Sequence, residues 1–269
     1  MSRPFLLAAA AVLALHTAAL PAPARAQESD TDLAKQLSNP VASLISVPLQ
    51  FNYDCCIGPS EGARYTLNVQ PVIPFSLGGD WNLIVRTIVP IVEQNRVAPG
   101  TSSTWGLGDT TQSFFFAPKA PVHGWIFAIG PALLWPTGST GISADKWGAG
   151  PTALALQQKK GWTYGVLANH IWSYADAGDH RGGDVSQTFV QPFLSWTSPT
   201  TTTVGINAES TYDWKTRQWS IPVNFTVSHI YKFGGQRVSL GGGARVYAAT
   251  NGGGPDWGLR FTSTFLFPK

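Results

Sequence analysis

Residues 201–214 read TTTVGINAESTYDW and, after the link 215–217, residues 218–231 read QWSIPVNFTVSHIY. In the first run Thr201, Thr203, Gly205, Asn207, Glu209 and Thr211 hold one parity, while Val204, Ile206, Ala208, Tyr212 and Trp214 hold the other. The second run repeats the pattern, with Trp219, Ile221, Val223, Phe225, Val227 and Tyr231 against Gln218, Ser220, Asn224, Thr226 and Ser228. Successive side chains of a strand point to opposite faces, so both runs are strands with one apolar face, joined as a hairpin. Each is longer than an ordinary globular strand of about five or six residues. A dozen alternating residues with aromatic rings at the ends of the apolar row suits a strand crossing a membrane, which needs about 9–11 residues.

The same unit recurs along the chain. Strands are expected near 43–54, 64–75, 81–94, 106–118, 124–136, 146–157, 162–174, 185–197, 201–214, 218–231, 237–249 and 255–267. Every second link is a tight turn, such as 76–80, 159–161, 198–200 and 232–236, while 96–105, 137–145 and 174–184 are longer and rich in Gly, Ser, Asp or Asn. Short turns at one end and long loops at the other are the pattern of an outer-membrane barrel, with the turns on the periplasmic side. The expected fold is therefore all-β, a transmembrane antiparallel β-barrel of about twelve strands occupying 43–269. A β-sandwich also alternates, but its strands are shorter and do not need Trp or Tyr at both ends.

The N-terminus sets the compartment. Arg3, an unbroken apolar run over 5–15 and Ala24-Arg25-Ala26 have the layout of a secretory signal peptide cleaved near Ala26. The expected organisation is leader 1–26, a periplasmic segment 27–42 and the barrel, delivered to the bacterial outer membrane. Within 27–42, residues 30–38 (DTDLAKQLS) place acids first and Leu33, Ala34 and Leu37 on one face, so a short amphipathic helix is expected before Asn39-Pro40. Its place is either the periplasmic mouth, the lumen or a loose tether.

Charged residues make up 12% of the chain, about half the share of a soluble domain. With little charge and ordinary hydropathy, the expectation is an apolar outer wall around a polar, mainly uncharged lumen. The formal net charge is +3, with Arg3 and Arg25 in the leader, so no basic field for nucleic acid exists. The adjacent Cys55 and Cys56 close no loop, and pairing with each other, pairing between chains or staying free are all open. Pro48, Pro71, Pro74, Pro90, Pro131, Pro151, Pro192 and Pro222 fall within expected strands, and each calls for a bulge or a missing ladder bond.

The segments 33–37 (LAKQL) through Pro48, 68–74 (NVQPVIP), 106–109 (GLGD), 146–152 (KWGAGPT), 167–173 (LANHIWS) and 209–214 (ESTYDW) resemble an outer-membrane transporter family related to the "MetA-pathway of phenol degradation" proteins. The resemblance spans the chain after the leader. It implies a bacterial outer-membrane barrel linked to transport of small organic compounds, and it brings no agreed substrate and no catalytic residues. The Pro268-Lys269 ending departs from the usual terminal aromatic, leaving Phe267 to serve as the signal for the barrel assembly machinery.

Only lumen-facing residues can act on a solute. Parity gives Arg86, Asp109, Asn207, Glu209, Asn224, Arg245 and Arg260 as lumen or constriction candidates. One reading is an ion-pair and amide network that fills the barrel; the other is a constriction selecting solutes by charge and size. The expected function is a channel or transporter passing small organic solutes, aromatic or hydrophobic ones among them, by passive or gated diffusion. The alternatives are a non-conducting barrel with a structural or surface-interaction role and, further off, an outer-membrane lipid hydrolase. For a hydrolase, His170 and Ser210 share the lipid-facing parity, but they lie two strands apart and no third member is evident. No catalytic residue, metal-ligand spacing or cofactor-binding Gly-rich loop is expected. Lipid, the assembly machinery and the solute are the expected partners.

Overall fold

The computed structural model describes residues 29–98, 100–178, 183–250 and 252–268. The expected leader and its cleavage site lie outside the described residues. After the helix α1 (Asp30–Leu37), the chain forms β1 (Ile45–Ile57), β2 (Gly62–Val69), β3 (Val72–Ser76), β4 (Trp81–Asn95), β5 (Thr104–Leu107), β6 (Thr110–Pro118), β7 (Trp125–Trp135) and β8 (Lys146–Lys159). There follow β9 (Trp162–Asp176), β10 (Ser186–Thr197), β11 (Thr202–Ala208), β12 (Ser210–Asp213), β13 (Gln218–Phe233), β14 (Gln236–Ala249) and β15 (Trp257–Phe267). Three pairs, β2 with β3, β5 with β6 and β11 with β12, are single interrupted strands, so the segments make twelve. Each pairs antiparallel with its sequence neighbours. The last returns to the first over Ile45↔Phe267 to Cys55↔Trp257, which closes the barrel and removes its edges.

The interruptions trace to proline. The strand expected over 201–214 breaks at Glu209, whose N–H donates to the Pro222 carbonyl at 3.0 Å, beside a register shift at Ile221/Pro222. Between β5 and β6, the Gly108 N–H donates to the Pro90 carbonyl at 2.8 Å. Pro71 itself separates β2 from β3, and the flanking Gln70 donates to the Pro48 carbonyl at 2.9 Å. A residue with no N–H cannot return the ladder bond, so the facing strand loses its regular register there. Pro131, Pro151 and Pro192, in contrast, sit in continuous register.

Outward-facing side chains form two aromatic girdles around an aliphatic and Phe-rich band. Trp81, Trp162, Tyr231, Phe233 and Phe267 are exposed at the end with the short turns; Trp105, Trp172, Tyr174, Trp214 and Trp257 are exposed at the other. Rings with a polar atom favour the headgroup level, so the girdles mark the two membrane surfaces. Cys55 and Cys56 are joined as a vicinal disulfide at the outer end of β1, where Cys56 has φ 67° and the register shifts.

The interior is not uniformly polar, contrary to the expectation from composition. Ile84, Phe115, Leu154, Leu156 and Leu167 pack together with Val41 on the inner face of β4, β6, β8 and β9. In these strands both parities are apolar, as in 114–116 (FFF) and 153–156 (ALAL), because one row faces lipid and the other faces this cluster. A second cluster joins Leu33 and Ala34 of α1 to Ala42, Leu44, Ile230 and Leu266.

Close strand approach depends on particular glycines. A Cβ on Gly150 would lie 1.7 Å from the His170 carbonyl oxygen. Gly150→Ala is therefore expected to destabilise the barrel by about 1–3 kcal/mol, the range for overpacking, read as a lower urea midpoint of the refolded protein in vesicles.

Candidate functional site in the barrel lumen

At the end with the short turns α1 sits across the barrel mouth. Ser29 caps its first turn, its hydroxyl oxygen accepting from the Asp32 N–H at 3.1 Å. The Ser29 hydroxyl and the Lys35 ammonium hold the Asp32 carboxyl below its ordinary pKa. The apolar face of the helix turns into the barrel, leaving Leu33 and Ala34 buried on inner-wall residues. Polar contacts help to fix it: Asp30 pairs with Arg237, the Thr31 hydroxyl donates to the Pro199 carbonyl at 3.0 Å, and the Gln158 amide donates to the Lys35 carbonyl at 2.8 Å. The structure docks it in the mouth of the barrel at the end with the short turns.

Farther in, the polar wall carries a charged cluster. Arg260 donates twice to Glu209, at 2.8 and 2.7 Å, and its Nε donates to Asn52 at 2.8 Å. Glu209 sits at the break between β11 and β12, separated from β15 by β13 and β14, and its long side chain and that of Arg260 meet across the inner wall of those two strands. Arg245 lies 3.1 Å from Asp54 and donates to the Tyr247 hydroxyl at 3.0 Å. The Asp54 oxygen and Arg245 Nε meet at ion-pair distance without hydrogen-bond alignment, which leaves both atoms unsatisfied as donors and acceptors. Arg64, paired in register with Asp54, shares the inward parity. Asn224 donates to Asn207 at 2.8 Å. On the opposite face of this belt, Arg86 donates to the neutral Gln70 at 3.0 Å; among the described residues no carboxylate lies within ion-pair distance of it.

Six of the seven residues singled out by parity thus line one stretch of lumen, and Glu209 feels Arg260, Arg245 and Arg86 together. Asp109 has a different task. Its carboxylate accepts from the Gly138 N–H at 3.0 Å, the Ser143 hydroxyl at 2.6 Å and the Ala144 N–H at 2.7 Å. It anchors the loop 136–145, which folds over the inner face of Gly106 at the end with the long loops, the Ser139 hydroxyl accepting from the Leu107 N–H at 3.0 Å. Three donors of that loop hold its carboxylate, so Asp109 is a loop anchor and not a member of the cluster. Parity reasoning missed Asn52, Asp54, Arg64 and Tyr247. The polar row Gln50, Asn52, Asp54 on the first strand was the available signal.

Two cavities meet at Arg86. One, of about 320 Å³, lies between the α1 region and Arg86 and Arg260. The other, of about 230 Å³, lies beside Arg86 along β6, β9 and β10 and includes Phe115, Leu167, Asn169 and Phe189. At the rim with the long loops Lys146 pairs with Asp176 and Asp184, and Lys215 lies 3.2 Å from Asp184. The Lys215 hydrogen bond and charge hold the Asp184 carboxyl below its ordinary value.

On the outer wall His170 has Thr188 at 2.7 Å and lies against Trp172, ring centroids 3.9 Å apart and planes tilted by 41°. Thr188 is in register with His170 and with Tyr212, while Ser210 lies opposite Val190. His170 and Ser210 therefore do not face one another, and the surroundings of His170 are those of the aromatic girdle.

No protein-family model matches the chain, and no curated protein matches it. Among solved structures it is similar to an outer membrane channel from Pseudomonas putida F1, with TM-score 0.65 and 13% identity over 84% of this chain and 96% of that one. It is also similar to the NanC porin, at TM-score 0.48 and 10% identity over 84% and 100% of the two chains. Outer membrane phospholipase A from Escherichia coli gives TM-score 0.48 and 11% identity over 83% and 90%. At these identities the Pseudomonas likeness is one of fold, and with the closed register of β1 on β15 it makes this chain a twelve-stranded antiparallel barrel of outer-membrane type.

Proposed function

We propose that the chain is a narrow channel of the bacterial outer membrane, reached after removal of a leader near Ala26, that passes small organic solutes down their gradient and rests with α1 across its periplasmic mouth. The observation that carries this reading is the pair of lumenal cavities meeting at Arg86, between a loop-narrowed outer mouth and a helix-covered inner one. A barrel of twelve strands is intermediate between small forms filled by side chains and wide water-filled porins, which fits a path for small solutes only.

Charge gives the path a preference. Arg64, Arg86, Arg245 and Arg260 face Asp54 and Glu209, four cations against two anions in the central belt. With low-dielectric walls such an excess favours anions in the pore and repels cations. A solute would enter past the loop tied by Asp109, meet Arg86 and leave past α1.

Single-channel recording of the refolded mature chain in a planar bilayer tests the proposal. Discrete conductance steps are expected, of long closed time. Absence of steps in the intact chain and in one lacking α1, with the barrel folded by heat-modifiable gel mobility, would favour instead a non-conducting barrel, for which the apolar cluster around Phe115 would be the filling.

A further inference from the structure

The 230 Å³ cavity beside Arg86 has two unlike sides. Phe115, Leu167, Ile171 and Phe189 give it an apolar side on the inner faces of β6, β9 and β10. Arg86 and the Asn169 amide give it a polar side, and among the described residues no side-chain or backbone group is hydrogen-bonded to that amide. An apolar side in a lumen is not required for passing water or ions. Here it stands next to an arginine that differs from Arg260 and Arg245 in the charge of its partner: Arg260 has Glu209 and Arg245 has Asp54, whereas Arg86 has the neutral Gln70. One bond from Arg86 Nη2 to Gln70 leaves most of the five guanidinium donors for a planar acceptor. A carboxylate matches that fork with two parallel bonds, and such pairs are among the stronger hydrogen bonds in proteins.

Size sets the body of the ligand. An apolar cavity of about 150 Å³ takes up benzene, and sites for drug-sized molecules begin near about 300 Å³. A space of about 230 Å³ therefore suits one ring, or an aliphatic chain of similar bulk, with one small head group. We infer that this cavity is a binding site for single-ring or equally small apolar monocarboxylates, the acid group on Arg86 and the body against Phe115, Leu167 and Phe189. The inference deepens the channel reading on which it rests, by giving the path a substrate class and a residue that selects it. Arg86 also lines the inner cavity, so a carboxylate released from the ring site stays beside a cation on its way to the periplasmic mouth.

Equilibrium dialysis of labelled benzoate against the full mature chain, refolded in detergent and compared with empty micelles, measures the site without needing a current. One benzoate per chain is expected, with acetate, which has the head without the body, competing at least about tenfold more weakly. Labelled benzyl alcohol, the neutral analogue, is expected to bind at least about tenfold more weakly than benzoate. Arg86→Gln is expected to weaken benzoate about tenfold or more and benzyl alcohol by a much smaller factor, so that the preference between the two collapses. Ser113→Leu, which fills the same cavity and keeps Arg86, is expected to remove benzoate binding in a barrel that still shifts on heat-modifiable gels. Equal affinity for benzoate and benzyl alcohol, or benzoate binding within about twofold of the parent in a folded Arg86→Gln barrel, would overturn the inference. A chain that conducts but retains no benzoate refutes the ring site alone, and one that binds benzoate as described but conducts nothing refutes the channel alone.

Discussion

Replacing Glu209 by glutamine is expected to cost the barrel about 3–5 kcal/mol, the range for breaking one partner of a buried ion pair. The side chain of Arg260 is 5% exposed and that of Glu209 is 22% exposed, so neither charge is well served by water. Glu209 takes both terminal nitrogens of Arg260, and glutamine keeps the shape of the acceptor while removing its charge. Arg260 would retain Asn52, a neutral acceptor for one of its donors. Arg245 and Arg86, which also act on Glu209, would lose the carboxylate that offsets their mutual repulsion. The urea midpoint of the refolded barrel in vesicles should fall accordingly. A midpoint equal to that of the parent would mean that water reaches the belt and screens it, and the account of a narrow lumen would fail with it.

Deletion of residues 27–38 is expected to raise single-channel conductance several-fold while leaving the barrel folded. The wall closes through β1 on β15 with no contribution from the helix, whereas Leu33 and Ala34 of α1 fill the mouth against Leu44, Ile230 and Leu266. What is lost is a cover and its polar ties, those at Arg237, Pro199 and Gln158 among them. The single change Leu33→Asp should act in the same direction, because a carboxylate cannot remain in that apolar contact without a partner. Unchanged conductance in both would place the resistance elsewhere, at the loop 136–145 or the arginine belt.

Alternation made the strands legible because period two is imposed by the pleat and does not depend on what lies on either side. The hairpin 201–231 therefore read correctly in class, and all twelve strands were found. Its break at Glu209 was not legible, because the cause is Pro222 on the facing strand and depends on register. The apolar part of the lumen had a signal in the sequence, the runs 114–116 and 153–156, which are apolar on both parities. A lumen expected to be polar and mainly uncharged left that signal unused. Arg86, Glu209, Arg245 and Arg260 were found because charge on the inner parity has few other homes in a membrane barrel. Asp54 was missed because it adjoins Cys55 and Cys56 at the expected strand end, although the strand in fact continues to Ile57. Asp109 passed the parity test and still had another task, since parity gives the face and not the partner.

The zero-current potential of the chain lacking residues 27–38, across a tenfold KCl gradient in a planar bilayer at low ionic strength, tests the central claim most directly. Four arginines against two carboxylates predict a potential of the sign for chloride permeating faster than potassium, shifted toward zero by Arg86→Gln and reduced as salt screens the belt. A cation-selective potential, or no current at all from the helix-free barrel, would contradict the account.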